Sequence, residues 1–332
     1  MSGAASADGR DTPVALAHAP LLDGIEMAEI QRLEHFMARF ELHPGEHLFS
    51  QGDESSSLYV IESGHIDLEV QTTAGRSRTI ASLGPGESLG ENSLLIGGRR
   101  TASAVARDRT CGWILYHAGF DMLRMDGAAG AVELMARLCE SAVSRLRRRY
   151  ETVAAELPPN GGGAADVATR QQPAAAAAEL ATPEYLLGLL CFREFFDDRQ
   201  VQEVIGGSTP LEFARGAVLI GPGEAPEDLL LVVRGAVDVS VRRGEAAQRV
   251  RLAGPGRFVG HAGVIERAPS PVVAHTHGRL VLIRIPGERV RGMLRDPSAV
   301  ARRFSSAFSQ DVARSMREAE RPIARTSSRA GA

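Results

Sequence analysis

The chain repeats itself, and the repeat limits its fold more than any other feature. A shift of 171 residues lays Gly216 on Gly45, Gly223 on Gly52 and Gly235 on Gly64. The run LLLV at 229–232 falls on LYVI at 58–61, and AVDVSV at 236–241 on HIDLEV at 65–70. After one deleted residue the shift is 170, and AGPGRFVGH at 253–261 lies on LGPGESLGE at 83–91. Matched glycines between matched apolar runs mean two copies of one unit. At 332 residues the chain has room for two ordinary domains.

Inside the first copy the hydrophobic period is close to two from Phe40 onward. Pro44-Gly45, Gly52-Asp53, Ser63-Gly64 and Gly84-Pro85-Gly86 punctuate it. Strands are expected at LYVI, HIDLEV, 79–83, TASAVARD (101–108) and CGWILY (111–116). Many short strands between glycine turns favour a small barrel or sandwich over an α/β fold. Helical spacing predicts a helix over 21–37, a short one over 120–125 and a long one over about 128–157. The long helix carries an apolar stripe of Met135, Cys139, Ala142, Leu146, Tyr150, Val153 and Leu157. Such a stripe either packs on its own barrel or makes the seam of a homodimer.

This gives a disordered tail at 1–15, a first domain at 16–157, an Ala/Pro/Gly-rich linker at 158–182 with local helix in its Ala run, a second domain at 183–322 and a tail at 323–332. Helices at 183–206 precede the second barrel. Another, over 297–320, follows it with Val300, Phe304, Phe308, Val312 and Met316 on one face, and Pro322 is expected to stop it.

Residues 88–105, SLGENSLLIGGRRTASAV, are the part of the first copy that can hold a ligand. Gly90 lets the backbone come close, having no side chain. Asn92 and Ser93 open one or two helical turns through Leu94, Leu95 and Ile96, and amides at a helix start favour a negative charge. Arg100 brings a planar fork of donors suited to paired phosphate oxygens. Glu91 repels a phosphate, so it faces a different group; a sugar hydroxyl suits a carboxylate acceptor.

The Gly90-Glu91 pair, the short helix, and Arg100-Thr101-Ala102 nine places after the Glu resemble the phosphate-binding cassette of the cyclic-nucleotide-binding domain family. That family usually has Pro before the Arg, where this chain has Arg99. The resemblance implies a mainly β fold with flanking helices: two tandem β-roll, or jelly-roll, domains, each with a C-terminal helix. It implies that Glu91 holds the ribose 2′-hydroxyl and Arg100 the cyclic phosphate. Gly90, the backbone near Asn92, Ser93 and Ala102, and the Thr101 hydroxyl complete the cradle, and Arg145 caps the base. Cyclic AMP is the expected ligand and cyclic GMP the alternative, since Thr101 can donate to the phosphate or meet a guanine amino group.

The second copy keeps the glycines and loses the chemistry. His261 stands in place of Glu91, Ser270 in place of Arg100 and Pro271 in place of Thr101. A buried phosphate deprived of its Arg loses roughly 2–5 kcal/mol, and Pro271 removes a backbone donor. Arg267, three residues earlier, is the alternative cation. The second domain is therefore expected not to bind a cyclic nucleotide, and to pack on the first or present a surface to a partner. His275 and His277 read as strand residues, His43 and His47 as flanks of a turn, and no metal site is expected. Arg145, Arg147, Arg148 and Arg149 read as a solvated face.

Other classes find little support. No phosphate-binding P-loop, dinucleotide fingerprint, zincin helix or nucleophile elbow is present, so an enzyme is not expected. The net charge of −3 offers no basic surplus for DNA. Relatives of the catabolite activator add a winged helix-turn-helix after the barrel; here a linker and a second barrel follow instead. The tandem layout is more similar to regulatory subunits of cyclic-nucleotide-dependent kinases, without their Arg-Arg-x-Ser inhibitory segment. All 38 basic residues are Arg, which with abundant Ala and Gly suggests a GC-rich bacterial genome. Three Cys without metal spacing and a polar start, MSGAASADGRD, point to a cytoplasmic protein with free thiols and no membrane span. The expectation is a cyclic-nucleotide sensor that moves the helix after its first barrel, acting on an unidentified protein partner without binding DNA directly. The alternatives are a catabolite-activator-type regulator lacking its own DNA-binding domain, and a ligand-free dimerisation protein.

Overall fold

A computed structural model describes residues 16–71, 77–158, 174–175, 195–205, 208 and 210–327. The expected N-terminal tail, nearly all of the linker and the helical stretch at 183–194 lie outside these residues. Packing divides the chain into two compact units, Met1–Leu138 and Cys139–Ala332.

The first unit opens with two short helical turns and α1 (Met27–Glu34). Eight strands follow: β1 (Met37–Leu42), β2 (His47–Phe49), β3 (Ser57–Ser63), β4 (Ile66–Gln71), β5 (Ser77–Leu83), β6 (Ser88–Leu89), β7 (Ser103–Ala106) and β8 (Thr110–Tyr116). Helix α2 (Glu91–Ile96) interrupts them, and α3 (His117–Met125) and the start of α4 (Ala129–Glu156) close the unit. The strands form two antiparallel sheets, ordered β1-β8-β3-β6 and β2-β7-β4-β5. Phe40, Tyr59, Ile61 and Leu89 from the first sheet meet Ile66, Ala104 and Ala106 from the second in one buried cluster. This is the β-roll that the period-two pattern predicts.

The second unit repeats the plan. It holds residues 139–156 of α4, then β9 (Ala174–Ala175), α5 (Asp198–Ile205), β10 (Leu211–Phe213), β11 (Val218–Ile220), β12 (Asp228–Arg234), β13 (Val237–Arg243), β14 (Ala246–Ala253), β15 (Phe258–Val259), α6 (His261–Glu266), β16 (Val273–Thr276), β17 (Leu280–Pro286), α7 (Gly287–Leu294) and α8 (Ala299–Ser327). Its sheets run β15-β12-β17-β10-β9 and β11-β16-β13-β14. Apart from β9 this is the strand order of the first unit. Even the irregularities repeat at a shift of 171. Register breaks fall at His47/Phe49, Ile61/Ser63 and Leu68/Glu69 in one copy, and at Val218/Ile220, Val232/Arg234 and Val239/Ser240 in the other. Bulges set local twist, so the two rolls are bent at the same places.

Several elements differ from expectation. The predicted helix over 21–37 is broken: Gly24 takes a φ of 74°, α1 spans only eight residues, and Met37 already pairs with Leu115. Leu22, Ile25, Ile30 and Leu33 are buried all the same, so their spacing recorded packing and not one continuous helix. Ala174 and Ala175, expected as local helix, pair with β10 as a short edge strand. Pro322 does not stop α8, which runs to Ser327. The ring removes one donor, that aimed at the Glu318 carbonyl, and the last turns continue past it.

The Arg run on α4 is not a solvated face. Arg148 is exposed, but Arg147 pairs with Glu266 and donates to the Pro269 carbonyl at 2.8 Å. Leu146 and Tyr150 of the stripe are buried in the second unit. There they line a small hollow together with His261, Ser270 and Pro271.

Gly64 and Gly235 show why the repeat keeps its glycines. Both sit at positive φ, 80° and 87°, and a methyl group on either would collide with a backbone carbonyl, of Arg109 or Arg279. Gly45 has φ 84° but open space around it. Gly45→Ala is expected to cost about 1–2 kcal/mol from conformation alone. Gly64→Ala and Gly235→Ala are expected to cost roughly 1–3 kcal/mol more from overpacking, and urea midpoints of the three variants check the order.

Candidate functional site

The cassette loop of the first unit is fixed before any side chain acts. Backbone bonds tie Arg100 to the Gly52-Asp53 turn: the Arg100 amide donates to the Asp53 carbonyl and the Gly52 amide to the Arg100 carbonyl, both at 2.9 Å. The Ser55 amide reaches the Gly98 carbonyl at 2.8 Å. Arg99, which replaces the family's usual Pro, donates to the Gly52 carbonyl at 2.9 Å from the surface. Residues 97–102 are thereby laid along residues 52–57.

Arg100 then turns inward and is 6% exposed. Its guanidinium lies 3.9 Å from the centroid of the Phe49 ring and 5.3 Å from that of Tyr59. Nη1 donates to Ser93 Oγ at 3.0 Å, and Nη2 to the carbonyl and hydroxyl of Ser57 at 3.2 and 3.1 Å. Every acceptor is neutral, and no carboxylate lies within ion-pair distance of it among the described residues. Nε is buried with no partner, as is the nearby Ser55 Oγ. Burial pushes the guanidinium below its usual value, an effect opposed by Tyr59 and by the charge of Asp53. A buried cation ringed by neutral dipoles, with a donor to spare, is a site built for an anion.

Gly90 is required here twice over. Its φ is 89°, and a Cβ would meet both the Ser57 carbonyl and Arg100 Nη1. It starts α2, whose Ser93 amide returns to the Gly90 carbonyl at 3.0 Å. Ser93 therefore offers its hydroxyl, and not its amide, to the cassette. Glu91 is half-buried at the first position of α2 and accepts from Ser88 Oγ at 3.0 Å. Asn92 is in the same helix. Ala102 is buried and Thr101 is exposed. Gly90, Glu91, Asn92, Ser93 and Arg100 are brought together at one helix; Arg145 lies in the part of α4 that belongs to the second unit, where it donates to Ser141 Oγ at 3.1 Å.

Sequence reasoning missed Ser57, Phe49 and Tyr59, which hold Arg100. The available signal was slight: a hydroxyl at the start of the LYVI strand and two of the chain's few aromatics beside it. It also missed His117. This ring faces two acceptors, the Leu94 carbonyl from Nδ1 at 2.8 Å and Asp121 Oδ2 from Nε2 at 3.0 Å, and so joins α2 to α3. Both bonds are made together only by the imidazolium. The Asp121 bond raises its pKa above 6.5 against the opposing pull of burial, and the Leu94 bond adds to the rise.

The second unit answers the same geometry with a different charge arrangement. His261, 3% exposed in the Glu91 position, points its Nε2 at Asp311 Oδ2 of α8, 2.9 Å away. Arg257 pairs with the same carboxylate and with Glu318 at 2.9 Å. Arg251 stands 3.7 Å from Asp311 and donates to Ser315 Oγ at 2.6 Å. Burial alone would raise the Asp311 pKa, but the His261 bond and the two guanidiniums hold it far below the carboxylate range. Burial pushes His261 down. Ser270, in the Arg100 position, donates to the Val272 carbonyl at 2.9 Å, and Arg267 is exposed. Among the described residues no group of three His, Cys, Asp or Glu side chains is placed to hold a metal ion, and no helix is long and apolar enough to cross a membrane.

Fold and cassette together define a tandem β-roll protein in which one cassette buries an arginine among neutral groups and the other gathers arginines around a carboxylate of its own. The cyclic nucleotide-binding domain model matches residues 39–126 and 210–296, more than half of the chain, and the protein belongs to that family. It is 44% identical over 93 residues to the cyclic AMP receptor protein of Thermus thermophilus, covering 27% of this chain and 42% of that one. It is 32% identical over 132 residues to the cAMP-dependent protein kinase regulatory subunit of Dictyostelium discoideum, covering 39% and 40%. The chain thus spans about two fifths of the length of these curated relatives. Among solved structures, the regulatory domain of Toxoplasma gondii PKA with cAMP aligns at 17% identity and a TM-score of 0.31, over 84% of this chain and 90% of that one. The N-terminal domain of a Streptomyces coelicolor A3(2) transcriptional regulator aligns at 27% and 0.37, over 45% and 100%.

Two measurements test this division of charge. Arg100→Met, which deletes a cation lacking a counter-ion, is expected to cost under about 1 kcal/mol in the ligand-free protein. Arg257→Met, which takes one guanidinium from both the buried Asp311 and Glu318, is expected to cost about 3–5 kcal/mol. The His117 contact has the opposite pH sense to a paired acid. Its pKa is raised on folding, so its stabilisation is complete below about 6.5 and is lost as pH rises through the folded value. The Tm gap between wild type and His117→Gln is expected to narrow from about pH 6 to about pH 8.

Proposed function

We propose that the first domain binds one cyclic nucleotide, cyclic AMP or alternatively cyclic GMP, and that the chain is a non-enzymatic regulator whose second domain binds none. The observation that carries this is the state of Arg100: buried, bonded only to neutral acceptors, with Nε unpaired. A cyclic phosphate supplies the missing negative charge. Glu91, three residues from Ser88 at the head of α2, is the acceptor for the ribose 2′-hydroxyl. Gly90 permits close approach, while Asn92, Ser93, Thr101 and Ala102 form the rest of the cradle. The exposure of Thr101 suits a group that meets the ligand from the solvent side, either at the phosphate or at a guanine amino group.

Ligand entry adds bonds to Arg100 and to α2, and α2 is tied through His117 to α3, which precedes α4. A state in which these contacts tighten is favoured by nucleotide in proportion to its differential affinity. The mechanism is therefore a shift of α4 that a protein partner reads. Likeness to a cyclic AMP receptor protein and to a kinase regulatory subunit supports this class of function, without a DNA reader or a kinase in hand. A homodimer through α4 has less in its favour, because Leu146 and Tyr150 are already buried within the second unit.

Titration calorimetry on the full chain is expected to find one site. Arg100→Ala is expected to weaken it by about 2–5 kcal/mol, tens- to thousands-fold in Kd, with Ser270→Ala indistinguishable from wild type. A protein showing no thermal shift with millimolar cyclic AMP or cyclic GMP refutes the proposal.

A further inference from the structure

The second roll keeps the frame of the cassette, and beside His261 that frame encloses almost no space. The hollow left beside His261 measures about 20 Å³. That is room for about one water molecule, against the several hundred Å³ of a typical small-molecule pocket. Part of its wall is α4: Leu146 and Tyr150 line it together with His261, Ser270 and Pro271. Tyr150 is 5% exposed, and burial raises its phenol pKa.

Directional bonds hold α4 in this position. Glu266, the last residue of α6, takes both Arg147 and the Ser144 hydroxyl, the latter at 2.7 Å. The Pro269 carbonyl, three residues further along the same cassette loop, accepts from Arg147. At the two ends Arg295 pairs with Glu140 at 2.6 Å, and Arg243 donates to the carbonyls of Ala155 and Leu157 at 2.6 and 3.0 Å. The latter caps carbonyls that a helix end leaves without partners. The loop that in the first roll encloses an anion-ready cation here presents a carboxylate and a carbonyl, which are groups for a cationic helix.

We propose that the cassette of the second roll is a helix-binding site whose resident occupant is residues 140–156 of α4, so that the second roll is the element that reads this helix. The grip stands on the second unit alone. Its use as the output of the first domain rests on the nucleotide binding proposed above. If the two are coupled, weakening the grip changes nucleotide affinity, since coupling is reciprocal.

Hydrogen–deuterium exchange of the full chain, read at amides 140–156, tests the grip. Glu266→Arg is expected to raise exchange there at least tenfold while β12 and β13 stay as in wild type. Adding Arg147→Glu is expected to restore much of the protection. Should Glu266→Arg also loosen the strands, Tyr150→Ala serves instead. Alanine is the stronger helix former, so faster exchange in that variant reports lost docking and not lost helix propensity. Unchanged exchange at 140–156 in both variants overturns the proposal. Calorimetry with cyclic AMP on Glu266→Arg tests the coupling: at least a threefold change in Kd is expected, and an unchanged Kd beside raised exchange overturns the reading role. A wild type that binds neither cyclic AMP nor cyclic GMP defeats the nucleotide proposal while leaving the exchange result to decide the grip.

Discussion

A buried ion has to find its opposite, and the two rolls meet that demand from different directions. In the first, Arg100 is sunk among Ser57, Ser93, Phe49 and Tyr59, none of which carries a formal negative charge. In the second, two guanidiniums and an imidazole converge on Asp311, a carboxylate supplied by the protein's own α8. Desolvating an ion costs several kcal/mol, which only close and complementary charge recovers. In the first roll only neutral dipoles and aromatic faces oppose that cost. In the second, ion pairs around Asp311 oppose it from within the fold.

The same frame supports both outcomes because the frame does not depend on the charges. Strand order, the three register breaks and the glycine turns coincide between the copies. The buried residues that tie the first unit's sheets together are aliphatic or aromatic, so that core carries no formal charge. Substituting Ser for Arg at position 270 could therefore proceed without disturbing the roll, provided neighbouring groups took up the vacated volume.

Most of the fold was legible in the sequence because it is written in short-range terms. Period-two runs, glycine punctuation and the 171-residue shift are each properties of neighbouring residues, and they located both rolls and the cassette. Gly90, Glu91, Ser93 and Arg100 were legible for the same reason, being close in sequence. What escaped was long-range or ambiguous. Ser57 and Tyr59 reach Arg100 across more than forty residues. Asp311 lies in sequence beside the apolar face of Phe304, Phe308 and Val312, and nothing local ties it to Arg257 or His261. The stripe on α4 disclosed that a face is buried but not against what, since Leu146 and Tyr150 suit any apolar neighbour. Gly24, at positive φ, breaks a helix whose apolar spacing continues across it, while α8 runs on past Pro322.

The arrangement around Asp311 has a bearing on how this chain can change. Placing an arginine back at position 270 restores a cation but no vacancy: Tyr150 and Leu146 fill the volume, and the neighbouring positive groups are already neutralised by an acid from α8. An anion site there needs the acid removed, the aromatic trimmed and Glu266 replaced, and the first of these steps alone leaves two buried guanidiniums, Arg251 and Arg257, without the carboxylate they share. Building an anion site into this cassette therefore takes coordinated changes on three helices at once, α4, α6 and α8.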